Sequence, residues 1–320
     1  MGLNDSVSSL GSRDVKGFFT ALEVASKLSW VDKLAMRMDS DSETENYKWL
    51  TATPALREWL GGRQAKRLLV NGLSITNKVF ESTLEFLSEE IRRDKLGQIK
   101  VRIDDLADRV VMHNIGLLST LILNGTGDTS GNCYDGQYFF DDDHEEGKSG
   151  VQKNLLAAGD VSQLNVGTAT APTALEAADA VLGVIAHMLT IKDDQAQYMN
   201  ELARNFIVMT GPSLGPAFSG AVTRQTLDGN VTNPLAAQSE YKVSHFTNPR
   251  LSAWTTQFAT FRADGALAPF ILQEEVPVEI QVVGKGSEYK VLNRKQLFGV
   301  KTEGNVGFGL WQYASHSTLS

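Results

Sequence analysis

The sequence predicts an α+β fold, and three observations carry that prediction. Residues 96–124 hold the longest unbroken helical period in the chain. Around it, helical stretches alternate with short runs that read as a mostly antiparallel set of strands. The bulk composition, 42% hydrophobic and 21% charged over 320 residues, is that of an ordinary globular protein with one large mixed domain or two lobes.

Residues 1–12 are rich in Ser and Gly and read as a loose arm. Val15, Phe18, Phe19, Leu22, Ala25 and Leu28 then recur at helical spacing, predicting a short amphipathic helix that needs a surface to lie on. Residues 36–45 are polar and acidic and are expected to be extended. The chain thus begins with a tether, a feature expected of assemblies.

Between 46 and 94 the pattern changes to strands and turns. A short strand at 47–50 is followed by a turn of helix from Pro54 to Leu60, which Gly61 and Gly62 end. Leu68, Val70, Leu73 and Ile75, then Val79, Phe80, Leu84, Phe86 and Leu87, lie in β-compatible runs broken at Asn71-Gly72 and Thr76-Asn77. A long hairpin-like excursion is expected, with Arg57, Arg63, Lys66 and Arg67 on its loops and Trp49 and Trp59 toward its surface. Such a hairpin has too little core to stand alone and must rest on the body or on a neighbour.

In the long helix, Ile99, Ile103, Leu106, Val110, Leu117 and Leu121 form one stripe, with charge opposite them only as far as Arg109. Beyond Val110 the helix is apolar nearly all round, so it is expected to start at a surface and end inside. Gly97 precedes it, and Asn124-Gly125 suggests a left-handed stop. His113 and Met112 read as packing residues. Downstream, the sequence predicts helices over 172–189 and 213–224. It predicts strands at 206–209, 241–246, 254–261, 270–272, 278–283 and 308–313.

A formal charge of −8 and a pI near 5.2 argue against a dedicated nucleic-acid binder, which works by neutralising phosphates. Cys133 is the single cysteine, so an internal disulfide is impossible. No window approaches ~18 consecutive apolar residues, and the N-terminus lacks a basic flank before an apolar run, so transmembrane and secreted readings fall away. The acidic run Asp141, Asp142, Asp143, His144, Glu145 and Glu146 is the best candidate for a metal or a carboxylate pair. Neighbours on an extended chain point opposite ways, however, which favours a solvated loop. Gly125–Gly127 follows a helix instead of preceding one, and Ser213 is out of frame for a nucleophile elbow. Nothing places His187 or His245 beside a nucleophile.

The runs Tyr-Lys-Trp-Leu at 47–50, Arg-Glu-Trp-Leu-Gly at 57–61, Ile-Thr-Asn at 75–77, Phe-Glu-Ser-Thr at 80–83 and Tyr-Asp-Gly-Gln-Tyr-Phe-Phe at 134–140 with His144 together resemble the major head subunit of Mu-like phages and prophages, the protein T family. The resemblance runs in order from about 15 to 146 and more weakly to Trp311; it departs at 89–94 and at Ala52-Thr53. It implies the tailed-phage (Hong Kong 97-like) capsid fold: an N-terminal arm over 1–45, an E-loop over 46–94, a peripheral domain over 95–125 and 271–320 with a spine helix at 96–124, and an axial domain over 126–270. It implies a subunit that assembles with itself, as pentamers and hexamers, into an icosahedral head around double-stranded DNA held without sequence specificity. Portal and scaffold proteins would be further partners. Such a virion protein is assembled in the host bacterial cytoplasm and needs no membrane, no cofactor and no catalytic or metal-binding residue. Trp49, Arg57, Trp59, Arg63, Lys66 and Arg67 are then expected at intersubunit contacts. Two other readings stay open: a metal-dependent hydrolase using Asp141, Asp143, His144 and Glu146, and another virion part such as a decoration or tail-tube protein.

Overall fold

A computed structural model describes residues 10–47, 72–94, 97–284 and 286–320. The amphipathic period at the start of the chain becomes a helix over Ser12–Leu28, opened by the Asp14 carboxylate accepting the Gly11 N–H at 2.9 Å. Its apolar stripe needs a surface and finds one within its own chain. Phe18 is fully buried, 6.0 Å from the ring of Phe298, in a core shared with Phe86, Ile103, Leu106 and Val300. Within the expected arm, the helix Ser12–Leu28 thus packs on the chain's own body.

Strand β1 (Ala35–Asp39) follows, then β2 (Thr44–Tyr47), which pairs antiparallel with β3 (Leu73–Thr76). The intervening residues 48–71, including the expected strand at 47–50 beyond Tyr47 and the helical turn at 54–60, lie outside the described residues. The β2–β3 pair sits on the body through Ile75, which occupies the space over Gly307; a Cβ there would meet Ile75 at 2.3 Å. Tyr47 Oη donates to Gln273 Oε1 at 2.7 Å, and Asn305 Nδ2 donates to the Thr76 carbonyl at 2.7 Å.

The second half of the expected excursion is not a projection. Strand β4 (Lys78–Leu87) alternates Leu84 and Phe86 inward and is bound along its length to a later strand, with Leu87 opposite Lys295 and Lys78 opposite Gly304. A short helix, Ser88–Arg93, leads to Asp94, whose carboxylate accepts the N–H groups of Gln98 and Ile99 at 2.9 and 3.0 Å. That cap starts the long helix, Gln98–Asn124, just after the left-handed turn at Gly97 (φ 70°).

The first half of this helix buries Ile103, Leu106 and Ala107 against the arm helix, and its last turns bury Leu118, Leu121 and Ile122 in a second core. By length and composition alone it could cross a membrane, yet both ends serve as core helix. The middle differs from expectation: Met112 is 50% exposed, and Val111 to Leu117 are only half-buried. The stop also differs. Gly125 is right-handed (φ −66°), and it is small because the Phe140 ring lies 2.7 Å from where a Cβ would stand.

Two sheets organise the rest. Strand β5 (Leu155–Leu156), β6 (Asn205–Thr210), β7 (Lys242–Thr247) and β8 (Gln257–Arg262) belong to one sheet; β9 (Phe270–Val283) and β10 (Lys295–Phe308) belong to the other; and β11 (Ala314–Thr318) returns to the first. The five-stranded order is β7-β6-β8-β11-β5 and the four-stranded order β1-β9-β10-β4. Helices Ala174–Leu189, started by the reciprocal Thr173/Glu176 cap, and Gly215–Thr223 cover the five-stranded sheet with Val181, Ile185 and Phe218 over Phe206, Val208 and Phe258. Strand β9 is continuous where two strands are expected; its register shifts on either side of Val276, and the second shift spans Pro277, which has no N–H to donate.

The aromatic run at 308–313 is a turn, not a strand. β10 ends at Phe308, Trp311–Tyr313 make one helical turn, and β11 pairs with β8 and β5. Residues 314–318 thus lie in the five-stranded sheet, between β8 and β5. Buried amides fix the crossing: Asn154 Nδ2 donates to the Phe139 and Trp311 carbonyls, and Asn200 Nδ2 donates to those of Met188 and Gln312.

Phe18→Ala is expected to lower the stability of the unassembled chain by about 3–5 kcal/mol in denaturant titration, as for other buried aromatics. Phe19→Ala, 43% exposed on the next step of the helix, should cost about 1 kcal/mol or less.

Candidate functional site

A groove of about 410 Å³ opens where the arm helix, the half-exposed middle of the long helix and the β9–β10 pair meet. Phe19, Leu22, Phe80, Val110, Leu117 and Val278 give it an apolar floor, and Glu23, Asp32, Glu274 and Glu303 stand on its rim with one guanidinium, Arg37. Arg37 reaches Asp32 at 2.9 Å and Glu274 at 3.6 Å; Lys27 pairs with Glu23, and Lys301 with Glu303. His113 lies edge-on to Phe80, ring centres 4.2 Å apart. Burial, and next the Arg250 cation, hold its imidazole below the usual histidine range, so it is neutral at pH 7.

The acidic run divides at His144, where extended backbone begins and buried and exposed residues alternate. Asp141, Asp142 and Asp143 bring carboxylate oxygens within 4.8 Å of one another at the surface. Asp141 already accepts the N–H groups of Tyr138 and Asp142 at 3.1 and 2.8 Å. Desolvation first, then the Asp141 charge, raises the Asp143 carboxyl. His144 and Glu146 turn inward instead. The His144 ring lies flat on Trp311 at 3.9 Å with Nδ1 2.7 Å from Asp135 Oδ2, and Glu146 Oε2 accepts from Tyr134 Oη at 3.1 Å. The four ligands of the hydrolase reading, Asp141, Asp143, His144 and Glu146, do not converge.

Other candidate groups are spoken for locally. Ser213 Oγ donates to the Trp254 carbonyl at 3.1 Å, His187 Nε2 lies 3.0 Å from the Lys153 carbonyl, and His245 Nε2 lies 2.9 Å from Thr210 Oγ1. Cys133 is buried, and burial pushes its thiol well up, away from the reactive thiolate.

The six expected contact residues, Trp49, Arg57, Trp59, Arg63, Lys66 and Arg67, all fall outside the described residues. The groove's one trace in the sequence is the long helix being apolar on more sides after Val110 than one core can cover.

Comparison with known proteins decides the family. Residues 12–181 and 229–320 match the family described as Mu-like prophage major head subunit gpT. The chain belongs to this family. The major capsid protein of Escherichia phage Mu is 32% identical over 116 residues, 36% of this chain and 37% of that one. The Mu-like prophage FluMu major head subunit of Haemophilus influenzae is 30% identical over 139 residues, 43% of this chain and 44% of that one. Each alignment thus spans less than half of the relative. The mature capsid of bacteriophage PhiM1 shares the fold, with a TM-score of 0.54 at 10% identity over 91% of this chain and 87% of that one. The α+β capsid fold inferred from the motifs is the fold of this head subunit, and its family is structural, not enzymatic.

The inward half of the acidic run packs inside the chain through Trp311, Asp135 and Tyr134. His144→Ala strips a fully buried stack and leaves Asp135, only 2% exposed, without its imidazole. It is expected to lower stability by about 3–5 kcal/mol in denaturant titration. Burial also holds His245 and His316 down at about 4. Because the unfolded imidazole titrates near 6.5, the unfolded state binds more protons between those values, and stability should fall as pH drops from 6.5 to 4. Denaturation midpoints across that window should show the loss, and His316→Leu should reduce it by roughly half.

Proposed function

We propose that this chain is the repeating subunit of an icosahedral phage head, assembling as pentamers and hexamers into a closed shell around double-stranded DNA. Membership in the gpT family over most of the chain is the observation that carries the reading. A closed shell built from one subunit needs contacts that make rings and a second set that joins them. The half-exposed middle of the long helix supports this, since a solitary chain has no reason to leave that apolar face uncovered.

In this reading the E-loop is the β2–β3 hairpin with residues 48–71. It reaches a neighbour through Trp49, Trp59, Arg57, Arg63, Lys66 and Arg67. The long helix is the spine of a peripheral domain, and the five-stranded sheet with its two helices is the axial domain. Exposed ion pairs contribute under about 1 kcal/mol each, so strength comes from buried tryptophans and from repetition around the shell. The acidic chain holds DNA without gripping it, because strong phosphate contacts would oppose packaging and release. Portal and scaffold proteins would complete the particle, which forms in the host bacterial cytoplasm and ends in the virion.

The double variant Trp59→Ala, Arg63→Ala tests the role of the hairpin. Electron microscopy should show closed shells for the unaltered chain and at least about a tenfold lower yield for the variant. Equal yield and equal heat resistance of the two would count heavily against it.

A further inference from the structure

β9 ends at Val283 and β10 begins at Lys295, and a six-residue helix, Glu288–Asn293, makes the tip between them. The tip is firmly built. Ser287 Oγ accepts the Lys290 N–H at 3.2 Å at its start, and Arg294 ends it in the left-handed conformation (φ 54°). It nevertheless exposes Val291 and Leu292, at 76% and 71%, between Lys290 and Arg294. Residues 284–295 carry four cations, Lys285, Lys290, Arg294 and Lys295, against Glu288 alone, in a chain whose total is −8.

A second groove, of about 560 Å³, has the complementary surface. It lies between the arm helix and the first half of the long helix, with Gly17, Ala21, Val24 and Val101 as its apolar floor. Asp104, Asp105 and Asp108 stand along it against one cation, Lys100. Val24 and Val101 are 59% and 65% exposed, and Asp108 has no ion-pair partner among the described residues. The other two carboxylates hold exposed partners, Lys100 at 2.5 Å and Arg109 at 3.8 Å, which exchange at little cost.

We infer that the tip helix of one copy seats in this groove of a second copy, with Val291 and Leu292 on Val24 and Val101 and with Lys290 and Arg294 over the aspartates; this rests on the shell reading above. Within one chain the sheet separates the two surfaces. The arm and long helices lie on the face of β4 and β10 that presents Phe86 and Phe298. Glu85, the neighbour of Phe86, points to the opposite face, where it accepts from Tyr289 Oη of the tip at 2.9 Å and pairs with Lys295 at 2.6 Å. The tip is thus tied to one side of the sheet, while the groove, lined by helix residues, opens on the other. One copy therefore offers the two halves of a head-to-tail contact. Pairing tip to tip would set like charges against each other.

The test is disulfide trapping in assembled particles. One set of chains carries Val291→Cys and another Val101→Cys, both at exposed positions, and the two are co-assembled. Oxidation is expected to give covalent dimers in the mixture and none in particles of either variant alone; Cys133, being buried, stays out of the exchange. Dimers in particles of Val291→Cys alone would mean that tip meets tip and overturn the proposal. Mixed particles without dimers overturn it too, and both results leave the shell reading intact. A second arm reads the charges. Lys290→Glu with Arg294→Glu should lower particle yield about tenfold, and adding Asp105→Lys and Asp108→Lys to the same chain should restore it. All four positions lie outside the buried cores, so the denaturation midpoint should stay that of the natural chain. A tip variant with undiminished yield, or a combined chain that assembles no better than the tip variant, overturns the proposal. Absence of particles from the natural sequence overturns the shell reading and this inference with it.

Discussion

The fold depends on one crossing, where the chain leaves the four-stranded sheet at Phe308 and enters the five-stranded sheet at Ala314. Phe139 stacks on Phe308 at 4.7 Å and touches Phe270 at 5.1 Å, joining the start of β9 to the end of β10 from outside the sheet. The turn itself exposes polar backbone to the interior, which is costly unless every group is met. Asn154 and Asn200, both fully buried, meet it with their amides, and Arg262 adds its guanidinium 4.6 Å over the Tyr313 ring. Arg262 is itself held by Asp264 at 2.8 Å. Burial raises the Asp264 carboxyl, but that guanidinium and the Arg204 and Asn205 amides outweigh it and keep the carboxyl below its usual range.

Because that crossing couples the two sheets, the long helix can be anchored at both ends and left open in the middle. Its first half lies in the core built around Phe18 and Phe298, and its last turns lie in the core built around Phe139 and Phe270. The span between carries apolar residues that neither core covers. This is the arrangement expected of a subunit whose remaining burial comes from other copies, and it gives the family assignment a physical content.

Much of this was legible in the residues. The arm helix, the long helix, the helices near 174–189 and 215–223, and the strand at 205–210 each have a clean period or a clear cap. β10 has no clear strand signal in the sequence, because Gly299, Gly304 and Gly307, with Lys301 and Glu303 between them, interrupt the apolar alternation. Their absence of side chain serves close approach: a Cβ at Gly304 would meet the Gln273 carbonyl at 2.3 Å. The aromatic run 308–313 reads as a strand in the sequence, because its burial comes from tertiary packing at a turn, which no local pattern reports. The arm reads as a tether because an amphipathic helix announces that it needs a surface, not whose. The inward turn of His144 and Glu146 follows from alternation, but the aromatic and tyrosine partners that receive them come from more than 160 residues away and from the preceding loop. The groove is likewise a product of three distant segments, so only its long-helix wall left a trace in the sequence.

The most direct measurement is a three-dimensional cryo-electron microscopy reconstruction of particles made by the natural chain. The account predicts a closed icosahedral shell of fivefold and sixfold rings in which the half-exposed middle of each long helix is covered by a neighbouring copy. Open rings or tubes, or a shell in which the middle of the long helix stays exposed to solvent, would contradict it.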